Sequence, residues 1–336
     1  HLAASIDSVY DALHTPAVFK AVSAPFSVFR TPSGNALPNR FEPGTEYEVS
    51  VSAFGVIPMG RQIIHLVDQA DVWDRRSVTD TGRGLSGVLK TLTGWQHRMS
   101  VVARADGGTD FSDELSIDFS LWSVLAWPGL QIFWWWRGAR LRRLAASFDS
   151  PVTKMWNERY LAKSSMWSGR VNPVLEQVAS EHKPTRAIDV GAGEGADALF
   201  LAELGAETVA VEASSVGVYR GLHEQRRREA ESGKPLRVRW AVADISKPWA
   251  WNDGKADFVS LQFIHTDSDT RARIWAEAVS AVAPGGVLVI VGHDQSDSEK
   301  GIPRPPAGLC FDADELRSAI PTTWSSVSIE KRERRQ

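Results

Sequence analysis

The sequence predicts two halves of different class: an α+β half over residues 1–146 and an α/β half over residues 154–336, the second built on a parallel, doubly wound sheet. Three observations carry this expectation. A chain of 336 residues is long enough, at roughly 150 residues per domain, for two separate cores. Up to about residue 146 short β-like runs alternate with turn signals, whereas from about residue 154 β-runs alternate with helical stretches. A glycine cluster, Gly191-Ala192-Gly193-Glu194-Gly195, separates a short apolar run from a helical one, which is the strand, loop, helix order of a parallel crossover. Between the halves Ser147-Phe148-Asp149-Ser150-Pro151 reads as a breaker and puts a linker at residues 147–153.

In the first half Ser5 caps a helix over Ile6 to Leu13, with apolar Ile6, Val9, Tyr10 and Leu13 at helical spacing, and a second short helix covers Pro16 to Val22. Strands follow at Tyr47–Phe54, Gly60–Asp68, Asp74–Asp80, Trp95–Ala105 and Thr109–Phe119, separated by Gly- or Asp-containing turns. Leu130 to Ala146 fits one long amphipathic helix. A helix pair, an antiparallel sheet and a long closing helix make an α+β helix-grip arrangement. Arg61, His97, Asp113 and Glu114 are the polar residues able to line a cavity there, although neighbours Asp113 and Glu114 cannot both face inward on a strand. Trp134-Trp135-Trp136 reads first as cavity wall and interdomain packing. With Arg137, Arg140, Arg142 and Arg143 it also suits an anionic lipid surface, a lower-ranked reading.

The helix pair, FEPGTEYEVSVSAFGVIPMGRQ, TDFSDELSIDF and WPGLQIFWWWRGARLRRLAA together resemble the START-like (SRPBCC) ligand-binding superfamily, which includes polyketide cyclases. The resemblance covers residues 1–146 and implies a curved sheet wrapped round the long helix, enclosing an apolar cavity. That family has a full strand before its helices, and only His1–Ala4 stands there here, so one sheet edge is expected to be incomplete.

In the second half Ala187-Ile188-Asp189-Val190 is a short buried strand, and the helix after the glycine loop runs from Ala196 to Leu204 and stops at Gly205. Thr208 to Glu212 is a second strand ending in an acid about twenty residues beyond Gly191, where a carboxylate accepts ribose hydroxyls. Further strands are expected at Val238–Val242, just before Asp244, then at Ala256–Phe263, Gly286–Val291 and Ser325–Arg332. Gly191, Gly193 and Ala196 also satisfy the relaxed dinucleotide fingerprint, so the glycines alone do not choose the nucleotide. Asp189 chooses: a carboxylate there repels a pyrophosphate at the helix N-terminus but attracts the ammonium and sulfonium of S-adenosylmethionine.

These segments are similar to the class I S-adenosylmethionine-dependent methyltransferases, whose fold is Rossmann-like: AIDVGAGEGADALFLAELGAETVAVEAS, VRWAVADI, ADFVSLQFIH and APGGVLVIVGHD match the family's successive motifs. The preceding MWNERYLAKSSMWSGRVNPVL resembles the N-terminal cap of small-molecule members related to tellurite- and thiol-modifying enzymes. The resemblance implies a cofactor set of Asp189, Gly191, Gly193, Gly195, Glu212, Asp244, Ile245 and Gln262, with Arg170 of the cap reaching the methionine carboxylate. His265 and His293 leave strands at the substrate-facing edge and are the catalytic candidates. Plain alternatives stand beside them: Glu212 as a surface acid, Asp244 as a turn residue, His265 as a packed histidine, Tyr160 and Trp167 as core aromatics of the cap helix. The family's sheet ends in an antiparallel strand pair, whereas this chain stops at Gln336, so the last strand is expected to be missing and the open edge admits a homo-oligomer.

Composition bounds the partners. With 43% apolar and 24% charged residues the chain is ordinarily globular, and a net charge of −3 with Lys and Arg dispersed gives no expectation of nucleic acid. Cys310 is the single cysteine, which excludes an intrachain disulfide and a Cys-rich zinc site and makes a cytoplasmic setting the simplest expectation. The opening His1-Leu2-Ala3 reads as a trimmed end rather than a signal peptide. The longest apolar run, Leu121 to Trp136, is broken by Pro128-Gly129 and falls short of the ~20 residues that span a bilayer, so no membrane partner is expected. No HExxH or other metal-triad spacing occurs, and no metal is expected. The leading functional expectation is methyl transfer to a small apolar or aromatic acceptor, with the first half binding or presenting the ligand. The rivals are an independent cyclase-like module fused to the transferase, a non-catalytic donor sensor, and a nicotinamide-dependent oxidoreductase, which Asp189 disfavours.

Overall fold

The computed structural model describes residues 1–32, 37–118, 121–249, 252, 254–297 and 305–332, and the chain divides into two compact units, His1–Lys154 and Met155–Gln336.

In the first unit Ser5 Oγ accepts the Ser8 N–H at 3.3 Å and starts α1 (Ile6–Leu13), and Pro16 opens α2 (Pro16–Ser23), where its missing N–H costs nothing. The strands are β1 (Ser27–Arg30), β2 (Glu46–Ala53), β3 (Ile57–Asp68), β4 (Arg75–Asp80), β5 (Arg83–Gly84), β6 (Gln96–Ala103) and β7 (Thr109–Ser116). They form one antiparallel sheet in the order β1-β2-β3-β4-β6-β7, with β5 on β3. The closing helix α3 spans Leu121–Ala145, and its Leu141 and Ala145 share a buried cluster with Val9 of α1 and Val101 of β6. Helices and sheet therefore enclose a common core.

Two departures from the expected elements have simple causes. The β1 segment is only four residues long, too short to show alternation. Helix α3 begins well before Leu130, because Pro128 withholds only its own N–H and the helix continues through it. Phe119, the expected end of the fifth strand, lies outside the described residues.

The expected linker is a correction of more consequence. Pro151 does not break the chain but opens α4 (Pro151–Leu161), with Ser150 Oγ accepting the Thr153 N–H at 3.1 Å. Asp149 is buried, and its carboxylate accepts the Ser5 N–H at 3.0 Å and the Ser5 hydroxyl at 2.8 Å. Breaker residues here anchor the start of α1. Replacing Asp149 with alanine strands the buried Ser5 N–H and leaves the Ser5 hydroxyl only Ser8 Oγ at 3.0 Å as an acceptor, which is expected to cost about 1–3 kcal/mol. The thermal midpoint of the first unit should fall accordingly, with Asp149→Asn recovering part of the loss. An unchanged midpoint for the alanine variant contradicts the anchor.

The second unit contains α5 (Pro173–His182), β8 (Arg186–Val190), α6 (Ala196–Glu203), β9 (Glu207–Glu212), α7 (Ser215–Ser232), β10 (Val238–Val242), β11 (Ala256–Gln262), α8 (Ser268–Ala281), β12 (Val282–Val291) and α9 (Ala313–Ala319). Its five-stranded sheet is parallel throughout, in the order β10-β9-β8-β11-β12, as a Rossmann-like domain requires. Side chains alternate between two helical layers. Ile188, Val190, Val209, Val211, Val259 and Leu261 bury against Ile274, Trp275 and Ala278 of α8. Ala187, Phe258 and Val289 face Leu175 and Ala179 of α5 and Leu201 of α6.

Ser325–Arg332, expected as a sixth strand, joins no ladder among the described residues. Its apolar content is too small to bury a face. Charged side chains hold it instead, with Lys331 Nζ 2.8 Å from Asp294 Oδ2 and Arg332 reaching Gln177 Oε1 at 3.5 Å.

Candidate active site

Sheet order reverses between β8 and β11, and such a switch point opens a crevice at the strands' carboxyl ends. The glycine loop crosses it. Gly191, Gly193 and Gly195 have φ of 75°, 61° and 90°, the left-handed region that glycine enters without strain. The N–H groups of Gly191 and Ala192 donate to the Val211 carbonyl at 2.8 and 2.9 Å, tying the loop to the end of β9. A β-carbon on Gly193 would come within 2.9 Å of Trp167 Nε1, so this glycine is also required for space.

Glu212, only 6% exposed, holds the loop from the neighbouring strand: its carboxylate accepts the Gly193 N–H and the Ser214 N–H, each at 2.9 Å. The Ala213 N–H also approaches this carboxylate, which keeps acceptor capacity for a further donor. Burial pushes this carboxyl above the ordinary glutamate range, against those backbone donors.

Asp189 lies elsewhere than its formal charge suggests. The two-residue period of β8 puts it on the α6 side of the sheet, opposite Ser260 of β11, whose hydroxyl donates to Asp189 Oδ1 at 2.6 Å. Burial, and then the charge of nearby Asp197, push its pKa up to about 8. Burial therefore favours the neutral form of Asp189, so the electrostatic choice of ligand argued from its charge is weaker than the sequence implies. The sign for stability follows. The folded chain holds a proton that the unfolded chain has released, so stability declines as pH rises from the ordinary value of 3.8 towards about 8. Asp189→Asn should flatten that decline in thermal unfolding followed across this range; an unaltered pH profile contradicts the assignment.

The remaining residues of the expected set divide. Asp244 Oδ1 is engaged by the Ser246 N–H at 3.0 Å and hydroxyl at 2.6 Å, a turn that still leaves the other oxygen for an outside donor. Ile245 packs on the α8-side core, with its carbonyl accepting Trp249 Nε1 at 3.1 Å. Gln262, the last residue of β11, has both amide atoms buried without a hydrogen-bond partner among the described residues. Phe263 then turns away with φ 54°.

That turn brings His265 and His293 together, with ring centroids 5.0 Å apart and planes within 8°. Phe263 lies 4.9 Å from the His293 ring. His265 Nε2 is buried and has no hydrogen-bond partner among the described residues. Burial first, then His293 and Arg271, hold the His265 pKa down at about 4. Arg271 is itself buried, with its guanidinium on Glu315 Oε1 at 2.6 and 2.8 Å and on the Thr266 carbonyl, which fixes the loop carrying His265.

Arg170 is not gathered with these groups. It is exposed in the bends after α4, its N–H on Ser168 Oγ at 3.3 Å. The cap helix ends at Leu161, so Trp167 and Arg170 do not lie in it as expected. What covers the loop is a network that sequence reasoning missed. Tyr160, 1% exposed, accepts Trp167 Nε1–H at 2.9 Å. Glu194 of the glycine loop accepts the N–H groups of Met166 at 3.3 Å and Trp167 at 3.2 Å, and pairs with Arg220 at 2.8 Å. Arg220 also donates to the carbonyls of Tyr160 and Lys163. The available signal was the acid inside the glycine loop, which a loop-only reading treats as filler.

In the first unit the four polar candidates also separate. His97 pairs with Asp113, and the Arg137 guanidinium lies 3.8 Å from the same carboxylate and over the Trp134 ring. Burial raises the Asp113 pKa, but Arg137 and His97 outweigh it and hold it below the usual range. Glu114 points to solvent, as alternation requires, and Arg61 is exposed on Glu48. Among the described residues no group of three or more His, Cys, Asp or Glu is placed to hold a metal.

Residues 188–290 match a family described as a methyltransferase domain. Solved structures similar to this chain include a protein for which conversion of a disulfide bond into a thioacetal group during echinomycin biosynthesis is described, at 22% identity and TM-score 0.41 over 52% of this chain and 79% of that one. TehB from Haemophilus influenzae matches at 19% identity and TM-score 0.37, over 50% of this chain and 54% of its own. Magnesium protoporphyrin IX methyltransferase from Synechocystis, with bound S-adenosylhomocysteine, matches at 18% and 0.34, over 51% and 83%. The left-handed glycine loop, the Glu212 carboxylate and the buried Gln262 amide fit an adenosyl donor, and with the family match they identify residues 188–290 as a methyltransferase domain whose methyl donor is S-adenosylmethionine.

Proposed function

We propose that the chain methylates a small apolar or aromatic acceptor carrying an acidic proton, and that its first unit is a START-like helix-grip domain that binds or presents this ligand. One observation supports the acceptor class above others: two stacked imidazoles beside Phe263 follow the end of β11, where His265 Nε2 and the Gln262 amide are buried without hydrogen-bond partners among the described residues. Such a corner offers a ring-shaped apolar wall and a neutral base. In this reading Glu212 takes the ribose hydroxyls, Asp244 and Ile245 border the adenine, and Asp189, Gly191, Gly193, Gly195 and Gln262 surround the methionine portion. Arg170, being exposed, serves at most the outer rim. When bound, S-adenosylmethionine supplies an electrophilic methyl group. The chain's own task is alignment and exclusion of water, and orientation of this kind is worth roughly 7–11 kcal/mol in well-aligned cases. His265, neutral above its lowered pKa, takes the proton that the acceptor releases.

The test is formation of S-adenosylhomocysteine by the full chain with a panel of phenols, thiols and aliphatic amines. Phenols or thiols with apolar bodies should be turned over above the acceptor-free rate. Turnover confined to amines protonated at assay pH contradicts the neutral-base corner.

A further inference from the structure

The first unit exposes apolar side chains on two of its segments. At the β2–β3 turn Phe54, Val56 and Ile57 are 56%, 79% and 55% exposed. On α3 Val124, Ile132 and Trp135 are 50%, 57% and 71% exposed. The two segments meet at Phe26. Phe26 joins them, with its ring 5.4 Å from Phe54, 5.6 Å from Trp136 and 6.4 Å from Phe133. At 100° per residue Val124, Ile132, Trp135, Arg142 and Arg143 fall on one side of the helix, while Leu141 and Ala145 turn into the core. Trp134 and Trp136 of the tryptophan run are spent inside the unit, on His97 and on the Ala24 carbonyl, but Trp135 is not. Several large apolar side chains exposed on neighbouring segments point to an interaction site.

Charge selects the partner. Residues 121–148 contain four arginines and no acid, and residues 51–60 contain no charged side chain at all. Arg142 and Arg143 are exposed at the far end of the same helix face. Exposed Trp and Phe flanked by arginine suit the headgroup level of an anionic bilayer, where ring and guanidinium both find their preferred depth. The helix does not cross that bilayer, since none of the described helices is long and apolar enough.

We propose that the first unit docks on an anionic lipid surface, with the Phe54–Ile57 turn and the Ile132/Trp135 face of α3 in the interface and Arg142 and Arg143 on the headgroups. The experiment is sedimentation of the full chain with vesicles of phosphatidylcholine, alone and mixed with phosphatidylglycerol. The wild-type chain should sediment with the mixed vesicles and much less with the neutral ones. Arg142→Gln with Arg143→Gln should weaken binding about tenfold or more and reduce its salt dependence. Ile132→Ser with Trp135→Ser should abolish sedimentation while near-ultraviolet circular dichroism and the thermal midpoint stay close to wild type. Val56→Ser with Ile57→Ser provides an independent second variant should the helix pair alter folding. Failure of the wild-type chain to bind mixed vesicles overturns the proposal. So does a chain that is dimeric in solution and becomes monomeric in the Ile132/Trp135 variant, because the face then belongs to a second copy.

Discussion

Replacing Glu212 with alanine is expected to weaken S-adenosylmethionine binding by about 100-fold or more, the largest single-residue effect on the donor. Hydrogen bonds to a charged acceptor contribute about 1.5–3 kcal/mol each, and two ribose hydroxyls lost together reach that factor at the low end. Truncation also strands the Gly193 and Ser214 N–H groups, both now held at 2.9 Å, so the loop loses its shape as well as its ligand acceptor. Glu212→Gln separates the two contributions. Its single amide oxygen can satisfy one backbone donor, which should restore most thermal stability but little affinity. The carboxyl's upward shift adds a pH signature. Protonation begins above the ordinary glutamate range, so donor affinity should fall on acidification earlier than an exposed glutamate predicts, and the Glu212→Gln chain should lack that dependence. Calorimetric titration across acid pH reads both.

Removing both His265 and His293 is expected to lower kcat by about 10²–10⁴-fold, the range for general-base help, while leaving donor affinity intact. The pH profile carries the sharper sign. His265 titrates near 4, against an ordinary value of 6.5, so activity should be flat through neutral pH and fall only as acid approaches 4. Folding stability follows the same window: the unfolded chain binds a proton between 6.5 and 4 that the folded chain refuses, so stability is lost on acidification through that interval. Substitution of His265 should remove both effects, and the imidazole Cε1–H resonance followed by NMR should titrate near 4 in wild type. An acid limb of kcat near 6.5 that persists without His265 places the base elsewhere.

Where local pattern decides, sequence and structure agree closely. Ser5 starts α1, Val238–Val242 is a strand, and the glycine loop stands between β8 and α6, because caps, alternation and positive φ are short-range demands. The chain divides at Lys154/Met155, beside the expected start of the second half, but the breaker reading of residues 147–153 differs for a long-range reason: Asp149 and Pro151 are turn-formers by type, while Ser5, 144 positions earlier, recruits one and the first turn of α4 accommodates the other. Ser325–Arg332 has an alternating look with too little apolar surface to hold a ladder. At the site, His265 and His293 were identified separately by strand-end position, yet their stacking depends on the left-handed turn at Phe263, which a non-glycine residue gives no reason to expect. The Glu194–Arg220 clamp was invisible for the same reason, since its partners come from three elements that only the tertiary fold assembles.

The central claim is that the crevice over β8 and β11 takes an adenosyl donor rather than a dinucleotide. The most direct test is calorimetric titration of the full chain with S-adenosylhomocysteine and, separately, with NAD⁺. Saturable binding of S-adenosylhomocysteine and none of NAD⁺ is expected. Saturable binding of NAD⁺ with S-adenosylhomocysteine silent would contradict it, because the glycine loop would then be holding a pyrophosphate beside a neutral Asp189.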